Sequence, residues 1–260
     1  MNNSMKKNTE IKAQTTRKYV NILGINVLVT TSAQVLTGVK QNITDSYKFF
    51  ITTPNPEIVL MAQKNKELRG ALNCADFAVP DGVGLNYASK FLYGKPLNII
   101  PGRKLFLELI KLANKNKWKV FLLGGLDNES EIASRNLQLT NHNLQIQFAG
   151  GSEITPNLSK DIVDRINKFS PDLLFAAFGN PKQEIFVHKN FKKLNVGGMM
   201  AVGGTFRYIS GQSPLPPKWM GEYGLEWVYR LITEPYRIKR IWNAFPIFPL
   251  RVFWFKITGY

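Results

Sequence analysis

The sequence is poor in the residues that build covalently or metal-stapled folds. Cys74 is the only cysteine among 260 residues, which excludes an internal disulfide and fits a reducing compartment. His142 and His188 are the only histidines, too few to assemble a structural zinc site. Acidic residues are scarce as well: 18 Asp+Glu stand against 34 Lys+Arg, a formal net charge of +16. There is no Asp-x-Asp pair, the arrangement that would hold a divalent cation on a diphosphate. Long apolar runs are missing too. The strongest late stretch, Phe245 to Phe255, falls far short of the ~20 residues that span a bilayer and contains Pro246, Pro249 and Arg251. Residues 1–18 carry Lys6, Lys7, Lys12, Arg17 and Lys18 with no apolar block before Tyr19, so they read as a loose basic tail rather than a signal peptide or anchor.

What remains is 44% hydrophobic and 20% charged, the composition of a folded soluble protein. The excess of positive charge calls for an anionic partner: nucleic acid, a phosphorylated substrate, or the inner face of a membrane. Charge alone does not choose among them.

From Tyr19 to Ser213 short β-branched or aromatic runs alternate with longer charged segments, which predicts an α/β core with a mainly parallel, Rossmann-like sheet and flanking helices. Six runs predict strands: Phe49 to Thr53, Phe77 to Pro80, Lys119 to Gly124, Gln145 to Gly150, Leu173 to Gly179 and Gly198 to Gly203. Lys104 to Asn116 and Asp161 to Phe169 read as helices, and Val20 to Thr30, with Gly24-Ile25-Asn26 between apolar runs, reads as a hairpin. Pro214, Pro216 and Pro217 mark a break. Residues 214–260 then read as a basic, aromatic helical appendage, with helical pattern over Leu225 to Ile232 and again over Tyr236 to Trp242.

Turn and polar residues gather after the strands, where open α/β sheets bind ligands and helix starts favour anions. In Thr53-Pro54-Asn55-Pro56-Glu57, Asn55 suits a helix cap with Pro56 in the first turn, while Thr53 and Asn55 could equally face a sugar or phosphate. Asp81, between an apolar strand and Gly82, is either an Asp-Gly turn or a general base facing a cleft. Gly82-Val83-Gly84 lacks the third small residue of a dinucleotide fingerprint, which disfavours NAD. Gln183 opens a helix whose start could hold a diphosphate, with Lys182 adding charge. Arg230, Arg237 and Arg240 read as a solvated basic face, as neutralisers of a diphosphate leaving group, or as lipid head-group ligands. The aromatics around them favour a membrane interface over nucleic acid.

Taken in order, Thr53-Pro54-Asn55-Pro56-Glu57, Asp81-Gly82, Phe121 to Gly125, Gly179 to Glu184, and Gly224 to Leu231 through Glu234-Pro235 and Arg237 resemble the WecG/TagA/CpsF family of bacterial glycosyltransferases, family 26. The resemblance implies transfer of an N-acetylmannosamine-type sugar from a UDP donor to a polyprenyl-diphosphate-linked sugar, with inversion and without a metal or other cofactor, in cell-surface polysaccharide synthesis. It implies a cytoplasmic enzyme held peripherally on the anionic inner leaflet by the 214–260 appendage. By position, Asp81 matches the base, Thr53, Asn55 and Gln183 the substrate pocket, and Arg230, Arg237 and Arg240 the arginines of the appendage. Two departures bear on donor or acceptor identity: Leu215-Pro216-Pro217 stands where Arg-Ala-Pro is common, and Arg103-Lys104 where an acidic residue is frequent. Another enzyme modifying nucleotide sugars, or a basic nucleic-acid-binding protein, are the rival readings; no nucleic-acid motif is present, and homo-oligomerisation is left open.

Overall fold

The computed structural model describes residues 17–151, 155–217, 220, 226–233, 238 and 242–259. The chain opens with a hairpin, β1 (Tyr19–Ile22) and β2 (Ile25–Leu28), and continues through α1 (Ser32–Thr44), β3 (Phe49–Thr52), α2 (Pro56–Lys64), α3 (Lys66–Asn73), β4 (Phe77–Ala78) and α4 (Val83–Tyr93). Then follow α5 (Gly102–Asn116), β5 (Lys119–Gly124), α6 (Glu129–Thr140), β6 (Gln145–Ala149), α7 (Lys160–Phe169), β7 (Leu173–Ala177), α8 (Lys182–Asn190), β8 (Gly198–Ala201) and α9 (Thr205–Ile209). Beyond these lie α10 (Glu226–Thr233), a π-helical turn over Asn243–Ile247, and α11 (Phe248–Thr258).

The main sheet has six strands in the order β4-β3-β8-β7-β5-β6, every pair parallel. The protein is thus the α/β, Rossmann-like fold that the alternation predicts. Because side chains alternate across a strand, each run feeds two cores. Phe49, Val120, Leu122, Phe175 and Met200 meet α1, α5 and α6 on one face. Phe50, Phe121, Leu123, Leu174 and Met199 meet α7 and α8 on the other. Burial on both faces is why these runs are continuously apolar.

The expected strands are present but some end earlier. β4 stops at Ala78, since Pro80 has no N–H to donate, and β7 stops at Ala177, before Gly179 turns at φ +72°. The hairpin is there, with its turn moved: Leu23 (φ +51°) and Gly24 (φ +78°) form it, and Ile25 and Asn26 already belong to β2. Two positive-φ residues match the twist of a two-residue hairpin, and this decides the position.

A third cluster joins the hairpin to α2, α3 and α4, and it takes in Phe248 and Val252 of α11, which are 2% and 3% exposed. The last helix is therefore seated on the core beside α4. Residues 1–16 of the basic tail and most of the Tyr236 to Trp242 segment lie outside the described residues.

Gly198 shows how tightly the sheet face is filled: a methyl built there would collide with the Phe49 ring. Gly198→Ala is expected to destabilise the protein by about 1–3 kcal/mol through overpacking, measured as a lower urea midpoint at unchanged slope. An unchanged midpoint would mean that the ring moves aside.

Candidate active site

A cleft of about 530 Å³ lies over the carboxyl ends of the parallel strands. All six strand ends of the main sheet reach it, through Thr53 after β3, Asp81 after β4, Gly125 after β5, Gly151 after β6, Gly179 after β7 and Gly203 after β8. From β3 to β4 the chain moves toward one sheet edge, and from β5 to β6 toward the other, so the cleft sits where the order of winding reverses.

Asp81 is fixed from two sides. Its backbone N–H donates to the carbonyl of Pro54 at 2.9 Å, and its Oδ2 accepts from the N–H of Gly102 at 3.1 Å. Gly102 is the first residue of α5, so the carboxylate lies at the positive end of a 15-residue helix. A side chain at Gly102 would place its Cβ 3.1 Å from Thr53 Oγ1 and 3.4 Å from Asp81 Oδ2, so glycine is what lets the helix approach. Thr53 and Asn55 form the same wall. Asn55 does cap α2, its Oδ1 accepting from the N–H of Ile58 at 2.9 Å, and it reaches the cleft from that capping position.

Gln183 also lines the cleft, but the structure gives it a different neighbourhood from the one expected. It is buried, and both ends of its amide are engaged by the chain itself: Oε1 accepts from Gly203 N–H at 3.0 Å, and Nε2 donates to Asn180 Oδ1 at 2.7 Å and Glu184 Oε1 at 2.8 Å. It thereby ties the β7 loop to the β8 loop. Beside it, Glu184 is 2% exposed, and burial raises its carboxyl to about 7, with the charge of Glu57 acting in the same direction. Among the described residues its Oε2 has no hydrogen-bond partner.

The sequence profile described as "Glycosyl transferase WecG/TagA/CpsF family" matches residues 20–260. The chain belongs to this family. It is a glycosyltransferase. It is 34% identical over 194 residues to an N-acetylglucosaminyldiphosphoundecaprenol N-acetyl-beta-D-mannosaminyltransferase of Bacillus spizizenii (strain W23), covering 74% of each chain. It is also 34% identical over 237 residues to the protein of the same name from Staphylococcus aureus (strain MRSA252), covering 90% of this chain and 91% of that one. Of the three family arginines, Arg230 lies on α10, whereas Arg237 and Arg240 lie outside the described residues. Among the described residues no group of three or more His, Cys, Asp or Glu could hold a metal ion, and no helix is long and apolar enough to cross a membrane.

The WecG/TagA/CpsF fold of this chain does present an apolar surface. On α4, Tyr87 is 67% exposed, and on α11 Trp254 is 60% exposed. Phe91 and Phe253 stack between the helices at 6.4 Å, and Lys256 Nζ lies over the Phe91 ring at 4.1 Å while donating to its carbonyl at 2.6 Å. Neither helix contains an acidic residue, and α4 begins two residues after Asp81. Sequence reasoning singled out aromatics of the appendage and made no reading of Tyr87 or Phe91 on α4. It also missed Glu184, which in sequence is only a favourable acid near a helix start.

Glu184 has a folded-state value above its unfolded one, so its contribution to stability is complete below about pH 4.5 and is lost as pH rises toward about 7. The full loss is about 3 kcal/mol. Glu184→Gln is expected to narrow the stability difference between pH 5 and pH 8, measured by urea unfolding at both values. An equal pH dependence in both proteins would remove Glu184 as its source.

Proposed function

We propose that this glycosyltransferase moves an N-acetylmannosamine-type sugar from UDP to a polyprenyl-diphosphate-linked sugar acceptor by a single inverting displacement, in cell-surface polysaccharide synthesis. The observation that carries the reading is Asp81: a carboxylate at a strand end, anchored through one oxygen by Gly102 and set against the wall formed by Thr53 and Asn55. The names of both relatives specify transfer of N-acetylmannosamine to an N-acetylglucosaminyl-diphospho-undecaprenol. In this reading the acceptor hydroxyl attacks the anomeric carbon as the bond to UDP breaks, and Asp81 takes the hydroxyl proton. Attack from the face opposite the leaving group inverts the centre. Thr53, Asn55 and Gln183 shape the pocket. Arg230, Arg237 and Arg240 supply charge from the appendage in place of a metal, consistent with a sequence that has no Asp-x-Asp pair.

The acceptor's lipid places the enzyme at the inner face of the cytoplasmic membrane, held peripherally. Exposed rings on α4 and α11, rimmed by Lys90, Arg251 and Lys256 and free of acidic residues, suit an anionic leaflet.

Asp81→Asn is expected to lower turnover at least about 100-fold while leaving UDP affinity, measured by calorimetry, within a factor of two. Near-normal turnover would remove Asp81 from the base role. Flotation is expected to carry the protein with phosphatidylcholine–phosphatidylglycerol vesicles, and Tyr87→Glu to weaken that recovery. Recovery unchanged by the substitution would take α4 out of the contact.

A further inference from the structure

At four helix starts along the cleft, groups of the chain already take a first-turn N–H or place a carboxylate beside it. At α2 the cap is Asn55. At α5 the N–H of Gly102 is given to Asp81. The first turn of α6 carries its own carboxylates, Glu129 and Glu131, and Glu129 Oε2 also accepts from Leu126 N–H at 3.0 Å. At α8 the N–H of Gln183 goes to the carbonyl of Gly179. These helix starts are thus partly occupied by the fold itself, and three carboxylates, Glu57, Asp81 and Glu129, face the same space. A polyanion entering such a cleft needs side-chain cations.

The cleft has them in Arg103, Lys182 and Arg207. Arg103 follows Gly102 in the first turn of α5, and Arg207 lies on α9 after β8. The fold brings their elements together: the Arg103 guanidinium lies 5.9 Å from the ring centroid of Tyr208, which follows Arg207 on α9. Both arginines are half-buried, which limits screening by solvent, whereas Lys182 is exposed. Guanidinium groups offer paired, directed N–H donors to phosphate oxygens. α9 packs on α6, toward the β5 side of the sheet, while the apolar face of α4 and α11 adjoins Asp81 at the β4 side. Arg207 thus lies across the cleft from the apolar face, and Arg103, next to the Gly102 that holds Asp81, stands between them.

We infer that Arg103 and Arg207 bind the diphosphate of the nucleotide-sugar donor, so that part of the leaving group's charge is neutralised by the α/β core itself. This rests on the glycosyltransferase reading above, and it assigns two residues to the donor that this reading left without a role.

The test is calorimetry of the full chain with UDP, inorganic diphosphate and uridine, for the wild type, Arg103→Gln, Arg207→Gln and Arg103→Lys. Each glutamine variant is expected to bind UDP and inorganic diphosphate at least about tenfold more weakly, consistent with the loss of a charged hydrogen bond. Uridine affinity should be unchanged, and Arg103→Lys should recover part of the loss. In steady-state assays the donor KM should rise while the acceptor KM stays constant. Undiminished diphosphate binding in both glutamine variants, an equal loss of uridine binding, or a rise confined to the acceptor KM would each overturn the inference. A wild-type chain that binds diphosphate through these arginines yet transfers no sugar from UDP donors would instead overturn the proposed function and leave the arginine site standing.

Discussion

The hydrogen bond from Gly102 to Asp81 organises the cleft. Pro101 precedes α5 and offers no capping side chain, so a 15-residue helix starts with its exposed amides uncapped by its own sequence. Asp81, arriving from the end of β4, takes that role. One contact thereby caps a helix and orients a carboxylate, while the bond from the Asp81 N–H to the Pro54 carbonyl ties the β4 loop to the β3 loop. Glycine at position 102 eases the approach, since a Cβ there would lie 3.1 Å from Thr53 Oγ1.

Much of this was legible in the residues. Strands buried on both faces leave continuous apolar runs, and all six were found, with five of them read too long at the carboxyl end, most clearly where Pro80 and Gly179 set the stop. The hairpin turn was misplaced because Leu23 takes a positive φ that its side chain does not advertise. Asn55 was readable as a cap from Pro56 and Glu57 beside it. Gln183 was placed at the cleft correctly, but its partners Asn180 and Gly203 come from two different strand loops, and such a bridge leaves no local pattern. Arg103 and Tyr208 were invisible as a pair for the same reason: they are distant in sequence and meet only through the fold.

The distribution of polarity around the cleft follows from these contacts. Carboxylates sit at helix starts, where the backbone favours them, and this moves the burden of binding anions onto arginine side chains. The apolar rings of α4 and α11 lie at the other margin, with Phe248 and Val252 anchoring the last helix beneath them.

The amide of Gln183 joins the loops after β7 and β8. Restricting those rotamers is a cost met during folding, so a substrate settling on this floor forfeits little conformational entropy there. Substitution of Gln183 would accordingly act as a loosening of the floor, weakening rigid substrates and flexible ones alike, rather than as the loss of a single contact.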